Sequence, residues 1–254
     1  MGSIVLLLDA GNTRLKWGIC VDGNITRTGT FSQDPLTKSG LAKLAAKLPR
    51  KVDAILASNV AGPSFGTKLS SVIGLHCDRD VRFARSEREA FGIRSAYRQP
   101  RRLGVDRWVA MIGARAESKA ALCIVDAGSA ITIDAVDRHG QHLGGQIIPG
   151  LHLMHRSLES ETSGISGLRV RTGDPGSGMA LFASGTERGV QAGALNAICG
   201  AIERSVRIMR KEGLRPKIML TGGGARPILK QLGGTVLHRP HLVLQGLATM
   251  LQEE

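Results

Sequence analysis

Residues 5–16 read VLLLDAGNTRLK: four apolar residues run directly into an acid, a glycine and a polar tip. The apolar run is typical of a buried strand. Gly11 permits a tight turn whose backbone amides, together with the side chains of Asn12 and Thr13, can surround an anion such as phosphate. Asp9 ends the strand, where a divalent cation on that phosphate would find a carboxylate ligand. A β-hairpin with a polar tip and no ligand explains the same residues.

The same layout recurs in residues 122–134, LCIVDAGSAITID. Aligning Asp9 with Asp126 also matches Gly11 with Gly128. Two copies predict a duplicated domain. A duplicated unit of strand, acid, glycine turn and strand resembles the actin and sugar-kinase superfamily. In that superfamily two related domains face each other, and each contributes one phosphate-gripping hairpin to a nucleotide in the cleft.

Strands alternate with helices after each copy, which predicts an α/β fold with mixed sheets. The resemblance implies two RNase H-like domains, residues 1–118 and 119–254, with an interdomain cleft. A meander of three antiparallel strands is expected to open the first domain, and the second hairpin is expected to end at Gly144–Gly145. Residues 144–150 are interpreted as a domain hinge or a cleft wall.

Composition limits the classes of function. The chain has 254 residues, of which 42% are hydrophobic, enough for one large domain or two smaller ones. The net charge is +13, but the basic residues are dispersed and not interleaved with aromatics, so specific nucleic-acid binding is not expected. An acidic substrate such as a nucleotide explains part of this charge.

The chain is expected to be cytoplasmic. We expect no signal peptide, and no apolar run is long enough to span a membrane. The four cysteines are isolated from one another in the sequence. Their spacing predicts buried thiols in a reducing compartment rather than a zinc site.

Gly104, Val105, Asp106 and Arg107 open a predicted helix and form the best catalytic candidate. An acid at a helix start often serves only as a cap. Here a basic loop that contains the only tyrosine, Tyr97, precedes Asp106. Arg107 adds a planar guanidinium group whose N–H donors suit a carboxylate or a phosphate. A carboxylate in a closed polar cleft can accept the proton of a substrate hydroxyl, so Asp106 is the candidate general base.

Residues 221–225, TGGGA, follow a predicted strand and precede a helix. Glycines at such a position let the backbone approach a flat ligand or a phosphate closely. A simple tight turn explains them equally well. The spacing is not that of a Rossmann nucleotide site.

The combination of motifs at residues 9–14, 104–107, 126–130, 144–150 and 242–247 resembles the type III pantothenate kinase family, which includes the Bvg accessory factors. The resemblance spans nearly the whole chain in order and spacing. It implies a homodimer that transfers the γ-phosphate of ATP to the primary hydroxyl of pantothenate, the first step of coenzyme A synthesis.

The resemblance also implies roles for single residues. The ATP-binding residues would be Asp9, Ala10, Gly11, Asn12, Thr13, Arg14, Leu15, Lys16 and Ser129. The pantothenate-binding residues would be Tyr97, Gly104, Val105, Asp106, Arg107 and Thr186, with Arg107 at the carboxylate of pantothenate. Ser129 stands where the family usually has threonine, and Gly189 stands where alanine is expected.

The resemblance further implies two cations. Asp126 would bind a monovalent cation, K⁺ or NH₄⁺, and Asp9 would hold the Mg²⁺ of ATP through water. Asp106 would be the proton acceptor. Two alternatives stay open at this point: a kinase of the same superfamily with another acceptor, and a transcriptional accessory protein of the same fold.

Overall fold

The computed structural model describes residues 2–32, 38–165 and 182–252. The chain divides into two compact units, and the first takes in Met1–Ser118 together with His241–Glu254. The second unit is Lys119–Pro240. In the described residues, each unit contains one five-stranded sheet of mixed direction.

The sheet of the first unit has a buried central strand. Its strands are β1 (Ile4–Ala10), β2 (Arg14–Val21), β3 (Asn24–Ser32), β4 (Ala54–Asn59) and β5 (Val81–Phe83). Their order is β3-β2-β1-β4-β5, and the first three strands form the predicted antiparallel meander. β1 pairs with β2 on one edge and, in parallel, with β4 on the other, so it is a central strand. Its sequence is accordingly an almost continuous apolar run.

Helices cover this sheet. The helices of the first half of the chain are α1 (Lys38–Ala45), α2 (Pro63–Leu69), α3 (Leu75–Cys77) and α4 (Val105–Glu117). A π-helical turn, Ser70–Gly74, joins α2 to α3, and a 3₁₀ turn covers Pro100–Arg102. The short strands β6 (Glu89–Ala90) and β7 (Ile93–Arg94) form a hairpin that the sequence did not predict.

The second unit repeats the topology of the first. Its strands are β8 (Leu122–Ala127), β9 (Ala130–Val136), β10 (His142–Pro149), β11 (Lys217–Thr221) and β12 (Val236–His238). Their order is β10-β9-β8-β11-β12, so β8 takes the central place that β1 has in the first sheet. The helices of this unit are α5 (Leu151–Glu161), α6 (Thr186–Lys211) and α7 (Ala225–Gln231).

The expected end of the second hairpin at Gly144–Gly145 is wrong, because β10 continues through both glycines. Its pairing with β9 runs on until Pro149 lies opposite Ala130. A bulge between His142 and Gly144 interrupts the register, and Gly144 has a φ of 121°. Glycine adopts such an angle without strain, so the strand absorbs the extra residue instead of ending there.

The last helix, α8 (Leu242–Gln252), groups with the first unit, whereas the range expected from the sequence, 119–254, places it with the second. α8 packs on α4 with backbone against backbone. A Cβ atom on Gly113 would lie 2.6 Å from the carbonyl oxygen of Leu242, and a Cβ atom on Gly246 would overlap the carbonyl oxygen of Val109. Two glycines thus permit the crossing that returns the C-terminal helix to the first unit.

The four cysteines, Cys20, Cys77, Cys123 and Cys199, are buried free thiols, as predicted. Burial raises the pKa of Cys123 and of Cys199 to about 12, so both stay protonated and unreactive at neutral pH. In the described ranges, no helix combines the length and the apolar character that crossing a bilayer demands.

The helix crossing predicts opposite effects for two glycine substitutions. Gly246→Ala should lower the free energy of unfolding by about 1–3 kcal/mol, because the new methyl group meets the backbone of Val109. The matched control is Gly200→Ala on the exposed side of α6, where no described atom lies within 4 Å of the added Cβ. That change should stabilise the protein by up to about 1 kcal/mol through helix propensity. Urea unfolding measures both, and equal shifts would contradict the close crossing.

Candidate active site

The turn between β1 and β2 presents a polar tip. Ala10 pairs with Leu15, and the N–H of Gly11 donates a hydrogen bond to the carbonyl of Arg14 at 3.1 Å. Asn12, Thr13 and Arg14 are exposed, whereas the side chains of Ala10 and Leu15 are fully buried. Ala10 and Leu15 can therefore contribute only backbone groups to a ligand at this turn.

Asp9 is buried at the end of β1, with 7% of its surface exposed. It pairs across the strands with Lys16, whose Nζ lies 3.8 Å from Oδ2 of Asp9. The ammonium group offsets the cost of removing the carboxylate from water. The first turn therefore combines a buried carboxyl group with a neighbouring lysine.

The turn between β8 and β9 lies at the equivalent position of the second unit. Ala127 pairs with Ile131, and the N–H of Gly128 donates to the carbonyl of Ala130 at 3.0 Å. Gly128 and Ser129 are exposed. Residues 128–130 separate the paired positions here, against residues 11–14 in the first turn, so the second turn is one residue shorter.

Gly150 brings the start of α5 against this second turn. Its N–H donates to the carbonyl of Ser129 at 3.0 Å, and a Cβ atom at this position would lie 2.5 Å from that carbonyl oxygen. Only glycine allows this approach. Residues 144–150, interpreted above as a hinge or a cleft wall, therefore form an edge strand that ends beside the second turn.

Asp126 at the end of β8 contacts the glycine turn that follows β11. Its Oδ1 occupies the space that a Cβ atom on Gly222 would fill, and Gly222 has a φ of 92°. The N–H of Gly224 donates to the carbonyl of Ala127 at 2.8 Å. The TGGGA turn and the second hairpin turn thus form one cluster around the Asp126 carboxylate.

The start of α4 carries further predicted site residues of the first unit. Asp106 is half-buried, and its Oδ1 accepts the N–H of Arg107 at 2.8 Å. The carboxylate lies so close to Gly104 that a Cβ there would be 2.7 Å from it. An acid in the first turn is stabilised by the positive end of the helix dipole.

Arg107 is 5% exposed and makes two kinds of contact with Tyr97. Its Nη1 donates to Oη of Tyr97 at 3.0 Å, and its guanidinium carbon lies 5.8 Å from the centroid of the tyrosine ring. This pair fixes a cationic side chain next to the half-buried Asp106. Chemically, the group offers one proton acceptor and one rigid cation.

Thr186 is the first residue of α6 and is exposed. It borders a cavity of about 790 Å³ in the second unit, which is also lined by Met154, Leu158, Gly189 and Gly193. No described atom lies within 4 Å of a Cβ atom placed on Gly189. The absence of the expected alanine therefore widens this cavity and breaks no contact.

Sequence reasoning assigned no role to three residues beside Asp9 and Asp126, although one of them, Thr221, opens the TGGGA motif. Ser58 at the end of β4 pairs with Asp9, while Thr221 and Thr132 pair with Asp126 from either side. Threonine is common in strands and a single serine matches no motif, so their types alone give no signal. Pairing across strands is the signal, and it becomes visible only when the sheet order and register are known.

The family model of type III pantothenate kinase matches residues 5–208, most of the chain. A type III pantothenate kinase of Thiobacillus denitrificans is 36% identical over 248 residues, which cover 97% of this chain and 96% of the relative. That of Aromatoleum aromaticum is 36% identical over 255 residues, which cover 99% of each.

Two solved structures share the fold. The activator of the 2-hydroxyisocaproyl-CoA dehydratase from Clostridium difficile, with bound ADPNP, has a TM-score of 0.56 at 14% identity and covers 98% of this chain and 94% of its own. An ethanolamine utilization protein from Carboxydothermus hydrogenoformans has a TM-score of 0.54 at 11% identity, covering 98% and 89%. The predicted α/β fold of the actin and sugar-kinase type is confirmed.

The contact between Asp126 and the glycine turn predicts a large cost for Gly222→Ala. Its added methyl group meets the Asp126 carboxylate and the Ala127 backbone, in addition to the strain of a positive φ. Gly234→Ala is the matched control, because Gly234 has a φ of 83° and no described atom within 4 Å of its Cβ position. In urea unfolding Gly222→Ala should lose about 1–3 kcal/mol more than Gly234→Ala. Equal losses would show that strain alone is responsible.

Proposed function

Since the chain belongs to the type III pantothenate kinase family, we propose that its two hairpin turns hold ATP and that Asp106 accepts the proton of the pantothenate hydroxyl. The reaction is the ATP-dependent phosphorylation of pantothenate, the first step of coenzyme A synthesis. The half-buried Asp106 carboxylate beside the fixed Arg107 is the observation that carries the assignment of the base.

The first hairpin, residues 9–16, contributes backbone amides and the exposed side chains of Asn12 and Thr13 to the phosphates. Ser129 contributes its hydroxyl and the backbone of the second turn. Phosphoryl transfer depends on the positioning of the reacting groups and on neutralisation of the phosphate charge more than on covalent catalysis. The strand ends hold the groups that serve both. Ala10, Gly11 and Leu15 contribute only backbone groups, which the burial of Ala10 and Leu15 and the lack of a side chain in Gly11 support.

Pantothenate binds at the start of α4. Asp106 orients the substrate hydroxyl for in-line attack and takes its proton as the new oxygen–phosphorus bond forms. Arg107 attracts the substrate carboxylate, and Tyr97 holds the guanidinium in place through the 3.0 Å hydrogen bond. Thr186, which borders the cavity in the second unit, is the remaining residue that the family resemblance assigns to substrate binding.

Two cations complete the proposal. The Asp9 carboxylate at the end of β1 would hold the Mg²⁺ of ATP through water, since Mg²⁺ usually keeps several of its waters and is bound through one or two carboxylates. Mg²⁺ offsets the charge that develops on the transferred phosphoryl group. Asp126 fits a K⁺ or NH₄⁺ ion, since it is a single carboxylate with hydroxyl-bearing residues on both sides.

Asp106→Asn tests the base. The substitution keeps the size of the side chain and should leave the melting temperature nearly unchanged, while kcat falls by about 10²–10⁴. A coupled ADP-release assay with ATP, Mg²⁺, K⁺ and pantothenate measures the loss. Glu117→Gln, an equivalent change at the exposed end of the same helix, should keep wild-type turnover.

Near wild-type turnover of Asp106→Asn would remove this residue from the role of base. Wild-type turnover with a sugar but not with pantothenate would instead overturn the assignment of the acceptor. Running both acceptors in parallel therefore separates an error in the residue from an error in the substrate.

We also propose that two copies associate through β10 and α5. β10 is an edge strand of its sheet, and its side chains Leu143 and Ile147 are exposed. Leu153 and Leu158 of the adjoining α5 are exposed as well. An edge strand with neighbouring exposed apolar side chains is a surface that another chain readily covers.

Leu143→Glu and Leu153→Glu test this interface. In light scattering after gel filtration, the wild-type protein should have twice the 26.9 kDa chain mass, and each variant should shift toward the single mass because a buried charge opposes association. Leu75→Glu is the control, since Leu75 is 84% exposed but lies in the first unit. Dissociation of the control alone would contradict the proposed surface.

A further inference from the structure

Each sheet carries a row of three side chains that pair directly across neighbouring strands at the end of the central strand. The row of the first unit is Ser58, Asp9 and Lys16 on β4, β1 and β2. The row of the second unit is Thr221, Asp126 and Thr132 on β11, β8 and β9. Directly paired residues project to the same face with their Cβ atoms about 5 Å apart.

The hydroxyl at one end of each row is buried without a hydrogen bond. Ser58 is 0% exposed and Thr221 is 1% exposed, and among the described residues neither hydroxyl oxygen has a hydrogen-bond partner. Such a group costs about 1–3 kcal/mol and calls for an explanation, for which an ion or water is one of the ordinary answers. This cost occurs at equivalent positions of both copies, and each hydroxyl lies beside an acid. The repetition indicates that the buried hydroxyl has a role connected with that acid.

The other end of the row distinguishes the two copies. In the first unit it is Lys16, whose ammonium lies 3.8 Å from the Asp9 carboxylate. In the second unit the corresponding residue is the neutral, half-buried Thr132. The first row thus contains a covalently attached monovalent cation, and the second row has a hydroxyl at the same position.

We propose that a bound monovalent cation takes, in the second unit, the place that the Lys16 ammonium takes in the first, held by the Asp126 carboxylate and by the hydroxyls of Thr221 and Thr132. The inference rests on the proposed function, in which Asp126 binds this cation, and it adds two ligands and a reason for the requirement. A lysine ammonium and NH₄⁺ have the same charge and the same donor group, so one can replace the other.

The donor set fits this charge. One carboxylate and two hydroxyls carry a single negative charge, which a monovalent ion neutralises. Neutral oxygens are the ligands that hold K⁺ in its selective sites. A protein site for Ca²⁺ uses more oxygen ligands, several of them carboxylates. The row therefore favours K⁺ or NH₄⁺ over a divalent ion.

Thr132→Lys is the decisive variant, because it gives the second row the residue that the first row already has. Turnover without added K⁺ should rise to within about tenfold of the wild-type rate in K⁺, and K⁺ should no longer activate. Thr132→Met is the matched control, since its chain is of similar length but uncharged. It should not turn over in the absence of K⁺.

Melting temperature provides a readout that does not depend on turnover. The wild-type protein should melt at a higher temperature in KCl than in NaCl of equal ionic strength, because a ligand of the native state stabilises it. Thr132→Lys should fold and show no such difference. A K⁺-dependent shift of the wild-type size in Thr132→Lys would overturn the proposal.

Thr221→Val tests the second hydroxyl with an isosteric change. If the hydroxyl had no ligand, its removal would be neutral or stabilising and K⁺ activation would stay unchanged. We expect instead that the K⁺ concentration for half-maximal stabilisation rises about tenfold or more. Ser58→Ala in the first row is the control and should leave that concentration unchanged.

The outcomes separate the two levels of the inference. If wild-type protein lacks pantothenate-dependent turnover but still shows a K⁺-dependent melting shift that Thr132→Lys removes, the proposed function fails and the cation site stands. If the wild-type protein turns over equally in K⁺ and Na⁺ with no melting shift, the kinase stands and the cation site is wrong.

Discussion

A carboxylate at the end of each central strand has to be compensated by the strands on either side, and much of the site follows from that constraint. β1 and β8 each lie between an antiparallel and a parallel neighbour, where Asp9 is buried and Asp126 is half-buried, so water alone does not solvate either carboxylate. The neighbours supply Lys16 in one unit and hydroxyl groups in the other. The hairpin turns that follow the acids are held at the same strand ends, which gives the amides that we propose to bind phosphate a rigid support.

Glycine residues permit several close contacts, both around these strand ends and between two helices. Gly222 leaves the space that the Asp126 carboxylate enters, and Gly150 admits the start of α5 beside Ser129. Gly113 and Gly246 let α8 lie on α4 with backbone contact. In each case the neighbouring atoms belong to the backbone or to a site residue, so a side chain could not be accommodated by a simple change of rotamer.

The proposed proton acceptor, Asp106, has a defined position at the start of α4. Its carboxylate accepts the N–H of Arg107, and an acid in the first turn is stabilised by the helix dipole. The hydrogen bond from Arg107 to Tyr97 keeps the guanidinium oriented. Phosphoryl transfer gains from this kind of preorganisation, because the charges need not rearrange during the reaction.

The α/β class, the duplication, the start of α4 and the choice of most site candidates could be predicted from the sequence, because each depends on a local pattern: a strand's apolar run, a glycine turn, or an acid in the first turn of a helix. The location of α8 could not, since its partner α4 lies more than a hundred residues earlier and the two glycines that fit together have no local signature. The equivalence of Lys16 and Thr132 was hidden for a similar reason. The second turn is one residue shorter, so an alignment that matches the acids sets Lys16 opposite Ile133, and only pairing across the strands restores the true correspondence.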